Sequence, residues 1–519
     1  MVHPGFRKRT VILLVVLLIV RFWFGQTFEL SGPEAYLWLE GHGTNLSPAY
    51  WENGPLVPFL IRIGTAFFGD TELGVRWLAA VICCCTGFVV FYLSRHWFNA
   101  RSAFWTVVLF IVVPLYAWKF SFMTEATVST GLLALALIAF SRAVEENKTA
   151  WWAVGGAACG LGMLVTIANS WWLVGLVLFF VVNPSRRARL AEPRLWGAIL
   201  LACVFLAPLL WWWHGAQVAD VRHLRLERDF PLSHAFSLNQ GFAFVWHEIF
   251  YLSPVFFIVL VAILWQLGRR VWDDPRYALL VSLAVPGLIW QNFAAFFHQG
   301  HFDLVAPLLL PLLILAGCYI SRPTEVDRIS RLGFGAIFVL AAAQSLGGLN
   351  PFYFSTKGGR AELSRTHSGE NVTGFHAGKR QISWRNLADQ IQRLQQDEGA
   401  TLVITDKPTT AAALTFYLPH NQFVYVDEER NVINQFDFWP RYDESASPND
   451  SALFVTLSND HPGADLQNNF STVTVVDAPP ASDYDKQWNF WSCQRFVGTG
   501  QTTGQMAEPM HESESLPKK

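Results

Sequence analysis

The chain has 519 residues, of which 52% are hydrophobic, 15% aromatic and only 15% charged. This composition is too apolar for an ordinary soluble protein and predicts an integral membrane protein. The formal net charge of −2 provides no basic field, so composition argues against nucleic acid as a partner. Most of the seven cysteines fall in apolar segments, and their spacing indicates neither a metal site nor a disulfide framework.

Apolar segments long enough to cross a bilayer recur through the first 350 residues. A spanning helix needs about 20 predominantly apolar residues, and this rule predicts about eleven transmembrane helices. The predicted spans are 10–28, 73–94, 103–118, 126–141, 151–167, 170–182, 195–213, 244–266, 277–297, 302–320 and 332–349. The sequence therefore predicts a polytopic α-helical membrane protein.

Lys and Arg residues are distributed unequally between the two sides of these spans. Most lie on the same side as Arg7, Lys8 and Arg9, and cytoplasmic loops are the ones that carry such an excess. We therefore expect a cytoplasmic N-terminus and, with an odd number of spans, an extracytoplasmic C-terminus. In this topology the outer face carries the segments 29–72, 119–125, 214–243 and 298–301.

After residue 349 the composition shifts to Gly, Ser, Asn and charged residues. Helical spacing at 387–394 and apolar runs typical of buried strands predict a small α/β domain. The predicted strands are 401–405, 423–426, 451–457 and 472–476. We divide the chain into a transmembrane domain (1–350), a linker (351–380), an extracytoplasmic α/β domain (381–500) and a disordered tail (501–519).

The segment between the first two predicted spans is rich in both acids and aromatic residues. Its acids are Glu29, Glu34, Glu40 and Glu52, and aromatic neighbours such as Tyr36 and Tyr50 are typical of a membrane interface. A glutamate in an ordinary loop is usually only a solvated side chain. Next to lipid, an ionisable side chain is instead a candidate for function. We therefore interpret 29–72 as an active-site loop at a membrane surface.

Four runs in this region resemble the first outer loop of one enzyme family. They are Ser-Gly-Pro-Glu-Ala-Tyr-Leu-Trp at 31–38, Tyr-Trp-Glu-Asn-Gly-Pro-Leu at 50–56, Leu-Ile-Arg-Ile-Gly-Thr at 60–65 and Gly-Asp-Thr-Glu-Leu-Gly-Val-Arg at 69–76. Weaker similarity extends to 123–125, 208–213, 416–419 and 434–439. The family is the dolichyl-phosphate-mannose-protein mannosyltransferase-like group of GT-C glycosyltransferases (families 39 and 83), which includes bacterial aminoarabinose transferases.

The resemblance implies a GT-C fold in the cell inner membrane. It also implies transfer of a sugar from a polyprenyl-phosphate-linked donor to an extracytoplasmic acceptor, which could be lipid A, another glycolipid, a polysaccharide or a protein. Membrane lipids are further expected partners. A divalent metal ion remains open as a cofactor.

Within this resemblance Glu34 is expected to be the general base, because the acceptor hydroxyl must lose a proton. Glu52 and Glu125 are expected to support it electrostatically or through a metal, although Glu125 also fits a residue that merely begins a helix. Pro33 stands where the family places a catalytic Asp. This leaves three alternatives. Glu34 takes over the role of that Asp, Glu52 or Glu125 takes it over, or the protein is a catalytically silent relative that only binds lipid-linked sugar.

Arginine offers a planar donor fork suited to phosphate oxygens, so Arg62 and Arg76 are expected to bind the donor phosphate. Their alternative role is to extend toward lipid head groups. The residues expected to contact substrate are Tyr36, Tyr50, His298 and His301. A transporter is a further alternative, but it predicts charges near the bilayer midplane and two matching halves, whereas the acids here cluster on one side.

Overall fold

The computed structural model describes residues 4–42, 54–215, 236–268, 274–297, 304–321, 383–427, 436, 439–456, 462–477 and 488–498. The chain forms two compact units. The first comprises Met1–Trp384 and Val432–Phe438, and the second comprises Arg385–Asn431 and Trp439–Lys519. The predicted linker at 351–380 and tail at 501–519 lie outside the described residues. The four-part division of the chain stays a prediction.

The described part of the first unit is helical. Its helices are α1 (Pro4–Thr27), α2 (Gly32–His42), α3 (Leu56–Phe68), α4 (Glu72–Trp97), α5 (Ala100–Val112), α6 (Pro114–Lys119), α7 (Glu125–Glu146), α8 (Thr149–Val165), α9 (Trp171–Val182), α10 (Pro193–Gly215), α11 (Leu238–Leu252), α12 (Pro254–Leu267), α13 (Pro275–Ala295) and α14 (Val305–Ile320). Two 3-10 segments, Ile167–Ser170 and Pro184–Ala191, flank α9. Buried Leu, Phe, Ala and Trp side chains from most of these helices form one apolar core.

Several described helices are long and apolar enough to cross a membrane. Four qualify individually, and the number rises to six when each of two bent helix pairs is counted as one span. The four are Phe6–Thr27, Glu72–Trp97, Glu125–Glu146 and Pro275–Ala295. A helical protein with several apolar helices is therefore confirmed. The count of eleven stays a prediction, and the predicted span 332–349 lies outside the described residues.

The structure corrects three of the expected segments. The segment 29–72, interpreted as a loop, contains the two helices α2 and α3. The expected span 103–118 is divided into α5 and α6 at Pro114, because proline lacks the N–H that continues a helix. The expected helix 244–266 starts earlier and breaks between Ser253, whose φ is 71°, and Pro254.

Small residues allow α8 and α10 to pack closely. A Cβ atom on Gly156 would lie 2.4 Å from the carbonyl oxygen of Ala198, and one on Gly160 would lie 3.0 Å from the Cα of Ala202. Both helices thus place small residues four positions apart at their contact, a pattern that brings membrane helices together. Gly197, on the same α10 helix, has nothing within 4 Å of an added Cβ.

The second unit is built around a mixed five-stranded sheet. Its strands are β1 (Leu402–Thr405), β2 (Tyr425–Val426), β3 (Ala452–Thr456), β4 (Phe470–Val476) and β5 (Asn489–Phe496), in the order β2-β1-β3-β5-β4. β1 pairs in parallel with β2 and β3, whereas β5 is antiparallel to β3 and β4. The accompanying helices are α15 (Trp384–Glu398), α16 (Pro408–Tyr417), α17 (Tyr442–Ser445) and α18 (Ala464–Asn469). The four predicted strands and the predicted helix are confirmed.

One carboxyl group in this second unit is perturbed by its surroundings. Burial raises the pKa of Asp427 to about 6, and the nearby carboxylates of Asp465 and Asp443 act in the same direction. Its Oδ2 atom is buried without a hydrogen-bond partner in the described residues. Ionisation of Asp427 therefore destabilises the folded second unit.

Candidate active site

At the start of helix α2 the Glu34 side chain reaches back to Ser31, which is one half of a capping box. The Ser31 backbone N–H donates to Glu34 Oε2 at 3.1 Å, and the Ser31 hydroxyl donates to the same oxygen at 3.0 Å. The Ser31 carbonyl accepts the first helical bond from Ala35 N at 3.0 Å. Pro33 fits the first turn of this helix, where a backbone N–H is not required. Local sequence thus fixes the start of α2 and the position of Glu34.

Glu34 forms a buried bidentate pair with Arg76 of α4. Arg76 Nε donates to Glu34 Oε1 at 2.8 Å, and its Nη2 donates to Glu34 Oε2 at 2.6 Å. The two side chains are 0% and 2% exposed. A parallel two-bond arrangement of this kind is the strongest geometry available to an arginine and a carboxylate. The pair joins α2 to the second turn of α4.

Arg76 also binds the end of α1. Its Nη1 donates to the carbonyl of Phe28 at 2.6 Å, and its Nη2 donates to the carbonyl of Glu29 at 2.9 Å. The guanidinium carbon lies 5.6 Å from the centre of the Phe24 ring and 5.4 Å from that of Phe122. Each guanidinium nitrogen of Arg76 therefore donates a hydrogen bond, and two aromatic rings lie near the cation.

The turn between α6 and α7 meets the same carboxylate. The backbone N–H of Met123 donates to Glu34 Oε1 at 3.3 Å. The hydroxyl of Thr127 holds this turn by donating to the carbonyls of Lys119 at 2.8 Å and Phe122 at 2.9 Å. Glu125 is the first residue of α7, two positions after Met123. Glu34 and the segment that carries Glu125 are thus brought together.

A second polar network ties α2 to α3 and α4. Trp38 Nε1 donates to Asp70 Oδ1 at 2.9 Å, and His42 Nε2 lies 3.4 Å from the same oxygen. The Thr65 hydroxyl is 3.0 Å from His42 Nε2, while His42 Nδ1 is 2.8 Å from the Trp38 carbonyl. Together with the Glu34–Arg76 pair, this network joins the two stretches 31–38 and 69–76 that most resemble the family.

The remaining predicted site residues are less concentrated. Tyr36 is buried, with its ring centre 6.2 Å from that of Phe436. Arg62 is exposed on α3. The predicted residues Tyr50, Glu52, His298 and His301 lie outside the described residues. Their roles stay predictions.

The geometry of Glu34 is better suited to holding structure than to moving a proton. Its two oxygens accept five hydrogen bonds from Arg76, Ser31 and Met123. A proton arriving from an acceptor would have to displace charge-assisted bonds in a site closed to solvent. The role of Glu34 as base, and that of Arg76 in binding phosphate, stay predictions to which this arrangement gives no support.

Sequence reasoning missed part of this site. The pattern Ser31-x-x-Glu34 is a capping-box signature and could have identified the local role of Glu34. By contrast, no local signal pairs Glu34 with Arg76, which is 42 residues away. The network of Trp38, His42 and Asp70 was equally hidden, because its members come from separate elements.

A metal role also stays a prediction. Within the described ranges, no three His, Cys, Asp or Glu side chains are grouped so that they could hold a metal ion. The sequence His-x-x-His-x-Asp at 298–303, together with Glu52, falls in the gaps between those ranges.

Comparison with known proteins agrees with the resemblance. Residues 52–212 match the model of the dolichyl-phosphate-mannose-protein mannosyltransferase family. The chain is 24% identical over 260 residues to a lipid A galacturonosyltransferase of Rhizobium johnstonii, covering 49% of this chain and 52% of that protein. It is 24% identical over 334 residues to an undecaprenyl phosphate-α-4-amino-4-deoxy-L-arabinose arabinosyl transferase of Pseudomonas fluorescens, covering 61% and 57%. The matches thus span little more than half of each relative.

Solved structures share the fold over a larger part of the chain. The crystal structure of ArnT from Cupriavidus metallidurans in the apo state matches with a TM-score of 0.62 and 17% identity, covering 94% of this chain and 98% of that one. The structure of the same protein bound to undecaprenyl phosphate matches equally well. The resemblance inferred from the sequence is therefore confirmed: residues 52–212 match the dolichyl-phosphate-mannose-protein mannosyltransferase family, and the chain shares the fold of ArnT.

Proposed function

We propose that the protein is a membrane glycosyltransferase that takes a sugar from a polyprenyl-phosphate-linked donor. The observation that carries this proposal is that the relatives described above are sugar transferases. One acts on lipid A, and others are named for a sugar carried on undecaprenyl phosphate. The common fold over 94% of the chain supports the same conclusion.

The reaction requires one bond to form and one to break at the anomeric carbon of the sugar. An acceptor hydroxyl attacks that carbon, the bond to the phosphate oxygen breaks, and polyprenyl phosphate departs with the electron pair. A carboxylate takes the hydroxyl proton. Cationic side chains stabilise the charge that develops on the phosphate.

We assign Glu125 as the general base and Glu34 as a positioning residue. Glu34 is engaged by Arg76 and the cap of α2, whereas Glu125 opens α7 next to the turn that Glu34 holds. Glu52 is the second candidate base. In this assignment the Glu34–Arg76 pair contributes to catalysis only indirectly, because it holds the end of α1, helix α2 and the α6–α7 turn in fixed positions relative to one another.

Arg62 is the better of the two predicted phosphate ligands, because its side chain is exposed on α3. Arg76 is buried and bound to Glu34. The fork of Arg62 suits a phosphate monoester or diester. A bound divalent metal ion would supply further positive charge at the leaving group.

We place the protein in the cell inner membrane with about eleven spans, a cytoplasmic N-terminus and an extracytoplasmic second unit. The excess of Lys and Arg on the side of Arg7 supports this orientation. The site around α2 and the α6–α7 turn would then face the extracytoplasmic side. A glycolipid of the lipid A type is our first choice of acceptor, since one relative is named for lipid A; a polysaccharide or protein would be an alternative outcome.

A silent relative that binds lipid-linked sugar is the second candidate. Its specific support is that Pro33 replaces the family acid and that Glu34 is occupied by Arg76. A transporter has less support, because the acid clusters lie on one side of the predicted spans.

The test is transfer of radiolabelled sugar from a panel of polyprenyl-phosphate sugars to membrane acceptors by the purified protein. Wild type is compared with Glu125→Gln and with Glu145→Gln. The second variant is a matched control, because Glu145 sits near the other end of α7 and contacts His96 and Trp97. We expect transfer by wild type and the control, and a loss of about a hundredfold or more in Glu125→Gln. Donor binding without transfer in all three would favour the silent relative.

A further inference from the structure

Arg21 is a charged residue within α1, which is the least buried of the four helices that qualify individually as membrane spans. The α1 segment Phe6–Thr27 has a mean hydropathy of 2.0, and only 17% of its most apolar stretch is buried in the protein. Ile19, Val20 and Trp23 are exposed, whereas Leu14 and Leu17 pack into the core. Arg21 is half-buried and so lies at the border between the lipid-facing and packed sides of α1.

The described partners of Arg21 are neutral. Its Nη1 donates to the hydroxyl oxygen of Ser121, and the Cys83 thiol is close enough to interact with it electrostatically. The Ser121 hydroxyl itself donates a hydrogen bond to the carbonyl of Ala117 at 3.1 Å. Within the described ranges, Arg21 Nε is buried and has no hydrogen-bond partner, and no carboxylate forms an ion pair with Arg21.

The contrast with Arg76 shows what this arrangement lacks. Arg76 is neutralised by Glu34, and all three of its nitrogens donate. Arg21 keeps a full positive charge and spare donors in an apolar setting. Ionisable side chains inside a membrane are costly and normally find an opposite charge. An anion is therefore the partner that the site lacks.

The position of Ser121 indicates from which end of α1 an anion would reach Arg21. It belongs to the 120–124 turn, whose residue Met123 donates to Glu34, so Arg21 is directed toward the candidate active site. Arg21 lies six residues before the end of α1, or about 9 Å along the helix axis. That is a depth from which a long arginine side chain reaches the head-group region.

We propose that Arg21, oriented by Ser121, binds the phosphate group of a lipid that approaches from the bilayer, and that this lipid is the polyprenyl phosphate carrier. The identity of the lipid rests on the function proposed above. The shared chemistry is a lipid-borne phosphate, which an anionic phospholipid also offers. Arg21 would then be a donor-binding residue at the lipid-facing entrance, distinct from Arg62 on α3.

The test is the affinity of the full chain, in nanodiscs of zwitterionic lipid, for undecaprenyl phosphate and separately for phosphatidylglycerol. Arg21→Gln and Arg21→Lys are compared with Arg142→Gln, in which the replaced arginine already has a carboxylate partner, Glu146, at 3.0 Å. We expect Arg21→Gln to weaken binding of undecaprenyl phosphate about tenfold to a hundredfold. Arg21→Lys should lose less, because it keeps the charge but not the fork. Arg142→Gln should match wild type.

The losses of affinity for the two lipids together decide whether Arg21 forms a phosphate site and which lipid it binds. An equal loss for both lipids supports the phosphate site without head-group selectivity. A loss for phosphatidylglycerol alone overturns the assignment to the polyprenyl carrier, and no loss for either lipid overturns the site. Melting temperatures of the variants verify folding, and replacing a charge in a lipid-facing helix should not lower them. Binding that depends on Arg21 in a protein that transfers no sugar would refute the proposed function and leave this inference standing.

Discussion

The Glu34–Arg76 pair can be tested by removing its cation. In Arg76→Leu the Glu34 carboxylate, 0% exposed, loses both bonds to the guanidinium, of 2.8 and 2.6 Å. Leaving one member of a buried ion pair uncompensated costs about 3–5 kcal/mol. The same change also removes the donors to the Phe28 and Glu29 carbonyls. We expect a large loss of stability, whatever happens to activity.

The appropriate assay is a double-mutant cycle on unfolding in mild detergent, with Arg76→Leu, Glu34→Leu and the combined variant. Because the double variant leaves no buried charge, it should be more stable than the sum of the single losses predicts, by about 1–3 kcal/mol. It should also retain measurable transfer if Glu34 only positions the site. Additive losses of stability would refute the pairing argument, and a stable double variant with no transfer would restore Glu34 as the base.

Three further predictions follow from local geometry. Gly156→Ala should destabilise the α8–α10 contact by about 1–3 kcal/mol, since its Cβ would lie 2.4 Å from the Ala198 oxygen, whereas Gly197→Ala should be neutral or slightly stabilising in the same thermal melts. Ser31→Ala should cost about 1 kcal/mol by removing the hydroxyl's hydrogen bond to the Glu34 carboxylate, with Ser31→Thr retaining most of it. The pKa of Asp427 is about 6, above its ordinary value, so its protonation favours the fold and stability should fall as pH rises from about 4 to 6, by on the order of 1–3 kcal/mol. Asp427→Asn should abolish that pH dependence, measured by hydrogen exchange of β1 to β3 after correction for intrinsic rates. If Asp427→Asn kept the pH dependence of exchange seen in wild type, the assignment of that dependence to Asp427 would be wrong.

Much of the helical architecture was predictable because hydrocarbon imposes a length on apolar segments. The expected spans at 73–94 and 126–141 fall within α4 and α7. The breaks at Pro114 and at Ser253-Pro254 were not predicted, although proline in both places is a recognised signal for a helix start. The 13 mostly apolar residues of α3 form a helix too short to span a membrane, which is why a rule based on span length assigned that segment to a loop.

The candidate site was predictable in location but not in its pairings. Acids among aromatics pointed to the segment around Glu34, and the resemblance added Arg76 and Glu125. The sequence could not show that Glu34 and Arg76 neutralise each other, because helix packing brings together residues 42 positions apart. The role proposed for Arg21 could not be predicted from the sequence, because it depends on a contact with Ser121, which is 100 positions away.

The central claim is that the protein breaks a sugar–phosphate bond on a polyprenyl carrier and passes the sugar to an acceptor. The most direct measurement is the release of polyprenyl phosphate by the purified protein in proteoliposomes, quantified beside the label that appears in a lipid A acceptor. We predict that the two products form in equal amounts and that Glu125→Gln abolishes both. Release without label in any acceptor would indicate hydrolysis, and the absence of both products with every donor that binds would contradict the account.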